Sequence, residues 1–288
     1  MPEGDTLYRI AVTLRKVLVG KTITRFDSTV DIVQRVDART PVAGRIVTGV
    51  DALGKHLLIV LRRTDDPGET ITVPQSFGLE LCALDLILHS HLRMTGSWHV
   101  YRHGESWQKP AHYAKAVLQT DEFVVPCFSA PVVELLTARE STRHPQLSTR
   151  GPDAMTDDFD AVDAREGLRR RGPLPIGVAI MDQRAMAGVG NVYKSEVLFI
   201  RRISPFRPVA ELTDADLVGL VAESHKLLVL NRGNAIRRTK FGLDSADRLW
   251  VYGRSGSPCQ VCGTTIKMLR QGTEGRSTYY CTTCQMVE

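Results

Sequence analysis

Four of the six cysteines stand in two pairs near the C-terminus, Cys259-x2-Cys262 and Cys281-x2-Cys284, with residues 263–280 between them. Two thiolate pairs, each on a tight knuckle and separated by a hairpin-length insert, are the spacing of a tetrahedral four-sulfur zinc site. The ~40 residues around them are too few to build a core of their own, so the ion has to hold their fold. Four protein ligands leave the metal no open position. One structural Zn2+ is therefore expected, and it is not the catalyst. The remaining cysteines, Cys82 and Cys127, stand alone and read as small buried hydrophobes. No run approaches the ~18 apolar residues of a membrane span, and no basic-then-apolar leader opens the chain. The chain is expected to be cytoplasmic, where clustered cysteines point to metal rather than to disulfides.

At 288 residues there is room for two domains, and 43% hydrophobic with 24% charged content is that of an ordinary globular protein. Asp5 or Thr6 is positioned to cap a helix whose apolar residues Leu7, Ile10, Ala11, Leu14, Val17 and Leu18 share one face, ending at Gly20. From Lys21 to about Glu134 the chain reads as short β-rich runs between turn residues. Thr22–Phe26, Arg45–Val50, His56–Leu61, Leu84–His89, Trp98–Tyr101, Ala114–Leu118 and Phe123–Cys127 are the candidates. Strands without intervening helices predict a sandwich or barrel. Residues 62–82 interrupt them with a polar stretch, Thr64-Asp65-Asp66-Pro67-Gly68-Glu69, that reads as a long hairpin tip or insertion. Near 139–155 Ser, Thr, Arg, His, Pro and Gly replace the strand pattern, which predicts a hinge. Beyond it the periodicity is helical, with Thr213 and Asp216 forming a cap ahead of Leu217, Leu220, Val221 and Leu227. Expected boundaries are thus 1–138, a linker at 139–155, a helical region at 156–248 and the cysteine hairpin at 249–288.

Several stretches carry chemistry. If Met1 is removed, Pro2 becomes a terminal secondary amine with a carboxylic acid, Glu3, beside it. Such an amine condenses with an aldehyde to a cationic iminium, an electron sink for cleavage at the neighbouring carbon, and Glu3 is placed to move protons at the same centre. Gly54-Lys55-His56 opens a buried-looking strand. His89 and His91 share one strand face, but no third metal ligand stands near them in sequence, so a polar or phosphate contact is the better reading. In Ala187-Gly188-Val189-Gly190-Asn191 a glycine turn leads into a helix capped by Asn191, and a helix start with free amides suits a phosphate. Arg276 follows Gly275 near a hairpin tip, where it is placed to clamp a phosphate or enter a groove. Residues 1–138 carry 15 basic and 15 acidic side chains and residues 139–288 carry 22 and 17, so the net charge of +5 lies in the second half. A basic half suits a polyanion.

Taken in order, Pro2-Glu3-Gly4, Gly54-Lys55, His91-Leu92-Arg93-Met94-Thr95-Gly96, the Gly188–Glu196 turn and helix, Tyr252-Gly253-Arg254, the four cysteines and Arg276-Ser277-Thr278-Tyr279-Tyr280-Cys281 resemble the formamidopyrimidine-DNA glycosylase/endonuclease VIII family. The resemblance spans nearly the whole chain. It implies an α+β protein of two lobes: an N-terminal β-sandwich with a flanking helix, and a helical domain with a helix-two-turn-helix unit and a zinc-finger hairpin. It implies a bifunctional DNA glycosylase/AP lyase of base excision repair, a monomer near the nucleoid, acting on double-stranded or partly single-stranded DNA with oxidised bases or abasic sites. Pro2 is then the nucleophile and Glu3 the acid that opens the sugar, with β,δ-elimination to follow. Lys55 matches the family lysine near the lesion, His91, Asn191 and Arg276 the phosphate contacts, and Met94 a void-filling methionine. Met-Pro-Glu-Gly and Leu147-Ser148-Thr149-Arg150-Gly151-Pro152-Asp153 resemble the endonuclease VIII branch, whose substrates are mainly oxidised pyrimidines. Asp121-Glu122-Phe123-Val124-Val125-Pro126 lacks the paired arginines of the purine-specific branch, although Met94 resembles that branch. Thr6 departs from the family in standing where many members have a glutamate. Two rivals are a non-catalytic DNA- or lesion-binding protein of the same fold, for which Pro2 and Glu3 are superfluous, and a zinc-ribbon protein docking RNA or protein, for which Lys55, Asn191 and Arg276 are.

Overall fold

The apolar stripe of the first helix and the alternation of the strands that follow decide where the first core lies. A computed structural model describes residues 2–65, 68–71, 79–234, 236–241 and 248–286. Met1 and the Asp66-Pro67 tip and 72–78 span of the expected insertion lie outside the described residues. By contact, Pro2 with Thr6–Thr149 forms one unit and Glu3–Asp5 with Arg150–Glu288 forms a second.

Helix α1 (Gly4–Leu18), which belongs to the first unit from Thr6 on, begins one residue ahead of the expected caps, so Asp5 and Thr6 lie in its first turn. Strand β1 (Arg25–Ser28) is followed by a helix that strand-only reading did not foresee, α2 (Asp31–Arg39), with Val33 fully buried. Its large apolar residues, Ile32, Val33 and Val36, are β-branched and few, which hides a nine-residue helix among strands. Then come β2 (Ile46–Leu53), β3 (His56–Arg62), the short pair β4 (Thr70–Ile71) and β5 (Leu81–Cys82), β6 (Leu86–His91), β7 (Ser97–Trp98), β8 (Tyr101–Arg102), β9 (Ala114–Gln119), β10 (Phe123–Phe128) and β11 (Val132–Thr137). One sheet runs β1-β9-β10-β7 with β8 also on β10, and the other β11-β6-β3-β2, all antiparallel. Alternation sorts their side chains. Leu57, Ile59, Leu61, Leu88, Val133 and Leu135 face Leu118, Val125 and the α1 stripe in the sandwich core. The opposite face of the four-stranded sheet carries Leu58, Val60, Ile87 and Leu136, covered by Ala138 and Leu147. Those last two come from helices α3 (Ala138–Arg143) and α4 (Pro145–Ser148), which occupy the start of the span expected as a hinge. Thr137 and Glu140 close a capping box at the start of α3.

The second unit holds α5 (Ala161–Arg169), α6 (Ile176–Ala179), α7 (Asn191–Ile200), α8 (Asp214–Leu230) and the hairpin β12 (Lys267–Gln271) with β13 (Arg276–Tyr280). Thr213 and Asp216 form the expected capping box on α8. Helix α7 has no polar face because it needs none. Every residue from Asn191 to Phe199 is buried, the situation of a helix enclosed on all sides. No helix among the described residues is long and apolar enough to cross a membrane.

Candidate active site and zinc centre

A helix begins with amide N–H groups that no residue within it can satisfy. At α7 the spacing predicts Asn191 as the cap, yet Gly190 holds that position, extended and with no side chain to offer. The acceptor comes from the far end of the sequence. Val192 N donates to Glu3 Oε1 at 2.7 Å and Tyr193 N to Glu3 Oε2 at 3.3 Å. Glu3 is fully buried there, at the positive end of the α7 dipole. Glycine is what permits the approach. A Cβ on Gly190 would stand 2.7 Å from Glu3 Oε1. The segment is fastened again at Gly4, whose N–H donates to Gly188 O at 3.1 Å and whose own Cβ would press on Met155 Cγ at 2.9 Å.

Asp5, also fully buried, forms a two-pronged ion pair with Arg237, at 3.0 Å from Nε to Oδ2 and 2.5 Å from Nη2 to Oδ1. The Arg237 guanidinium reaches 3.8 Å from Glu3 Oε1 and lies over the Tyr193 ring, 4.8 Å from its centre. Burial pushes the Tyr193 phenol up, so it stays neutral. The carboxylate expected at position 6 and missing from Thr6 thus has a neighbour in Asp5, buried and paired. Sequence reasoning missed Arg237, which sits in an arginine-rich stretch with no periodicity to mark it.

The polar side chains of α7 fasten the hairpin and its lead-in. Asn191 Nδ2 donates to Ser277 Oγ at 3.0 Å, and the Asn191 amide also hydrogen-bonds the Tyr252 hydroxyl. Lys194, almost fully buried, donates to Ser277 O at 3.1 Å and Thr278 Oγ1 at 2.8 Å, and Tyr279 N donates to Ser195 Oγ at 3.3 Å. Burial pulls the Lys194 amine down to about 8, with the nearby Glu3 charge opposing and Arg276 assisting. Glu196 accepts from Trp250 N at 2.7 Å, Val251 N at 2.9 Å, Tyr252 N at 2.8 Å and the Thr239 hydroxyl. Burial pushes its carboxyl up, and those four donors work against the shift. A lysine and a glutamate two apart on a helix without a polar face were the available signal for these anchors. Arg276 opens β13, half exposed and paired with Glu274 at 2.6 Å.

Lys55, His91 and Met94 belong to the first unit. Lys55 occupies the β2–β3 turn. His91 ends β6, and its Nδ1 accepts from Arg93 N at 3.2 Å, so the ring hydrogen lies on Nε2. Burial, then the charges of Lys55 and its neighbours, hold the His91 imidazole down at about 4, so it is a neutral donor rather than a cation. Met94 is mostly exposed on the turn that follows.

The four cysteine sulfurs lie within 4.8 Å of one another, with Cys259–Cys284 at 3.9 Å and Cys262–Cys281 at 3.4 Å. A tetrahedron with Zn–S bonds of about 2.3 Å has edges of about 3.8 Å. Val261 N and Cys284 N each point to a sulfur at 3.5 Å, the bonds that shape a knuckle around thiolates. The donor set fits zinc.

Family models match three segments: the formamidopyrimidine-DNA glycosylase N-terminal domain at residues 1–131, its H2TH domain at 150–244, and the zinc finger found in FPG and IleRS at 256–287. The "Probable endonuclease 8 2" of Streptomyces coelicolor is 38% identical over 99% of this chain and 94% of that protein. The chain belongs to the formamidopyrimidine-DNA glycosylase/endonuclease VIII family. The "DNA-(apurinic or apyrimidinic site) lyase Nei2" of Mycolicibacterium smegmatis is 34% identical over 99% of each chain. A formamidopyrimidine-DNA glycosylase of Lactococcus lactis, solved with N7-benzyl-Fapy-dG DNA, shares the fold with a TM-score of 0.78 at 22% identity, covering 99% of this chain and all of that one. The two-lobed α+β architecture is therefore that of the glycosylase family, and the C-terminal hairpin is its zinc finger.

Proposed function

We propose that this family member is a bifunctional DNA glycosylase/AP lyase that removes oxidised bases, mainly pyrimidines, and opens the strand at the resulting site. The observation that carries this reading is the seat of Glu3. It fixes a buried carboxylate, held by two amides, directly after a proline at position 2, where an acid beside a terminal amine has to stand.

In this reading loss of Met1 exposes the Pro2 amine, which attacks C1′ of the damaged nucleotide as the base leaves. Glu3 takes up the proton that the Pro2 nitrogen sheds on forming the C1′ bond and passes it to the sugar ring oxygen, and ring opening gives the iminium. That cation draws electrons from the C2′–H bond, so the 3′ phosphate leaves by β-elimination and the 5′ phosphate by δ-elimination. Lys55 stands near the lesion, and His91, Asn191 and Arg276 hold phosphates around an extruded nucleotide, His91 as a neutral N–H donor and Arg276 as a charge. The four-cysteine zinc holds the hairpin that carries Arg276. The names of the two relatives, an endonuclease 8 and an AP lyase, support the reaction and the branch. The place of action that follows is the cytoplasm, on the nucleoid.

Borohydride reduction tests this. Met1-processed protein mixed with a duplex bearing one abasic site should be trapped as a covalent adduct, and a Pro2→Ala sample should not. Trapping that persists in the variant moves the nucleophile to another amine. No adduct in either, with zinc bound and Met1 gone, leaves a DNA-binding relative without the chemistry.

A further inference from the structure

Half of the eight histidines converge on the outer face of the four-stranded sheet, away from the sandwich core. His56 pairs with His91 across β3 and β6, and His89 pairs with Glu134 across β6 and β11. His144, at the corner between α3 and α4, comes down over the same face with its ring 5.3 Å from that of His89. The sequence offered His89 and His91 without a third ligand. Folding supplies the missing groups to His89, from Glu134 and His144.

We propose that His89, Glu134 and His144 form a second metal site, for a divalent transition ion of the zinc class, distinct from the four-cysteine centre. One ligand atom from each of the three lies within 4.8 Å of the others. His89 Nδ1 is 2.7 Å from Glu134 Oε2, and His144 Nε2 is 3.2 Å from that same oxygen. Bonds of about 2.0–2.1 Å to nitrogen and oxygen ask for tetrahedral edges of about 3.3 Å, so these two edges need shifts of only tenths of an ångström. Two imidazoles and a carboxylate are the donors that zinc accepts, and they leave one position for water. His89 is fully buried, and its other nitrogen lies 2.8 Å from His56 Nδ1, the outer contact that orients a ligating ring. An ion here would tie the α3–α4 corner to two strands just before the chain leaves the first unit at Arg150.

The test is a metal count. Whole protein, loaded with zinc and freed of loosely held ion, should contain two zinc per chain. His144→Ala and Glu134→Gln should each contain one, the ion of the cysteine centre, and His56→Phe should release the second ion 10–100-fold more readily to a chelator. One zinc in the unaltered protein overturns the site, and so does two in both ligand variants. Should a variant fail to fold, X-ray absorption at the zinc edge of the unaltered protein decides. A mixed shell with nitrogen or oxygen beside sulfur supports the site, and a shell of sulfur alone overturns it. None of these readouts depends on glycosylase activity.

Discussion

Gly190 lets a carboxylate from the third residue reach two amides at the start of α7, and that makes it the most informative single position. Its backbone is extended, at φ −125° and ψ −162°, which any residue adopts, so alanine there adds no backbone strain. The added methyl instead collides with Glu3. Gly190→Ala should push the carboxylate off Val192 N and Tyr193 N, leaving buried donors unmet at about 1–3 kcal/mol. If Glu3 opens the sugar, excision of a damaged base should fall by about 10²-fold or more, with less effect on a ready-made abasic site. Single-turnover rates on the two substrates, beside a melting curve, measure this. A lowered melting temperature with excision intact would confine Glu3 to capping. Arg276 is a second test at this scale. Its partner Glu274 is largely exposed, and such a pair is weak enough for DNA to displace. Arg276→Ala should weaken binding and flatten the salt dependence by about 0.9 in log–log slope, the share of one phosphate contact. An unchanged slope would remove Arg276 from the phosphate set.

Helix α7 is the element through which the second unit is assembled, because its start holds Glu3 and its sides hold β13 and residues 250–252. Glu196 does the last of these with both oxygens, Oε1 taking Val251 and Tyr252, Oε2 taking Trp250 and Thr239. Glu196→Gln keeps the shape and turns one oxygen into a donor; with the amide nitrogen toward Thr239, whose hydroxyl can turn to accept, the Trp250 N–H is left facing a donor. The loss expected is about 1–3 kcal/mol, read by urea titration, with new proteolytic cleavage near 248–252. A change under about 0.5 kcal/mol would mean that solvent takes over that donor. How legible these parts were depends on how locally they are encoded. The cysteine knuckles, the Thr213–Asp216 box and the apolar run Leu57–Leu61 each lie within a few residues, and each was readable. Helix α2 was not, because valine and isoleucine are as much at home in a strand. Nor was the true cap of α7, since Glu3 and Val192 lie at opposite ends of the sequence and only the fold joins them. Asp5–Arg237 and His89–Glu134–His144 were hidden for the same reason.

For the molecule as a whole, the zinc decides whether the Arg276 hairpin exists at all. Among the described residues the cluster beneath it holds Phe199, Val251, Ile266, Cys259 and Cys281, with Trp250, Tyr279 and Cys284 at its edge. That is too small a core to fold the finger alone. Binding of a structural zinc contributes about 10–16 kcal/mol in finger peptides, so the metal outweighs every hydrogen bond from α7 to β13. Cys259→Ser removes one thiolate and leaves the His89 cluster untouched, which chelation would not. In hydrogen exchange, this variant should lose protection over 259–285 and at the α7 residues that face β13, while the inner strands β3 and β6 keep theirs. DNA binding should fall even though Pro2, Glu3 and Lys55 are unchanged, because the segment carrying Arg276 is no longer ordered. If 267–280 stayed protected without the fourth thiolate, the contacts from Asn191, Lys194 and Ser195 would be enough to fold the hairpin, and the zinc would be a reinforcement rather than its core.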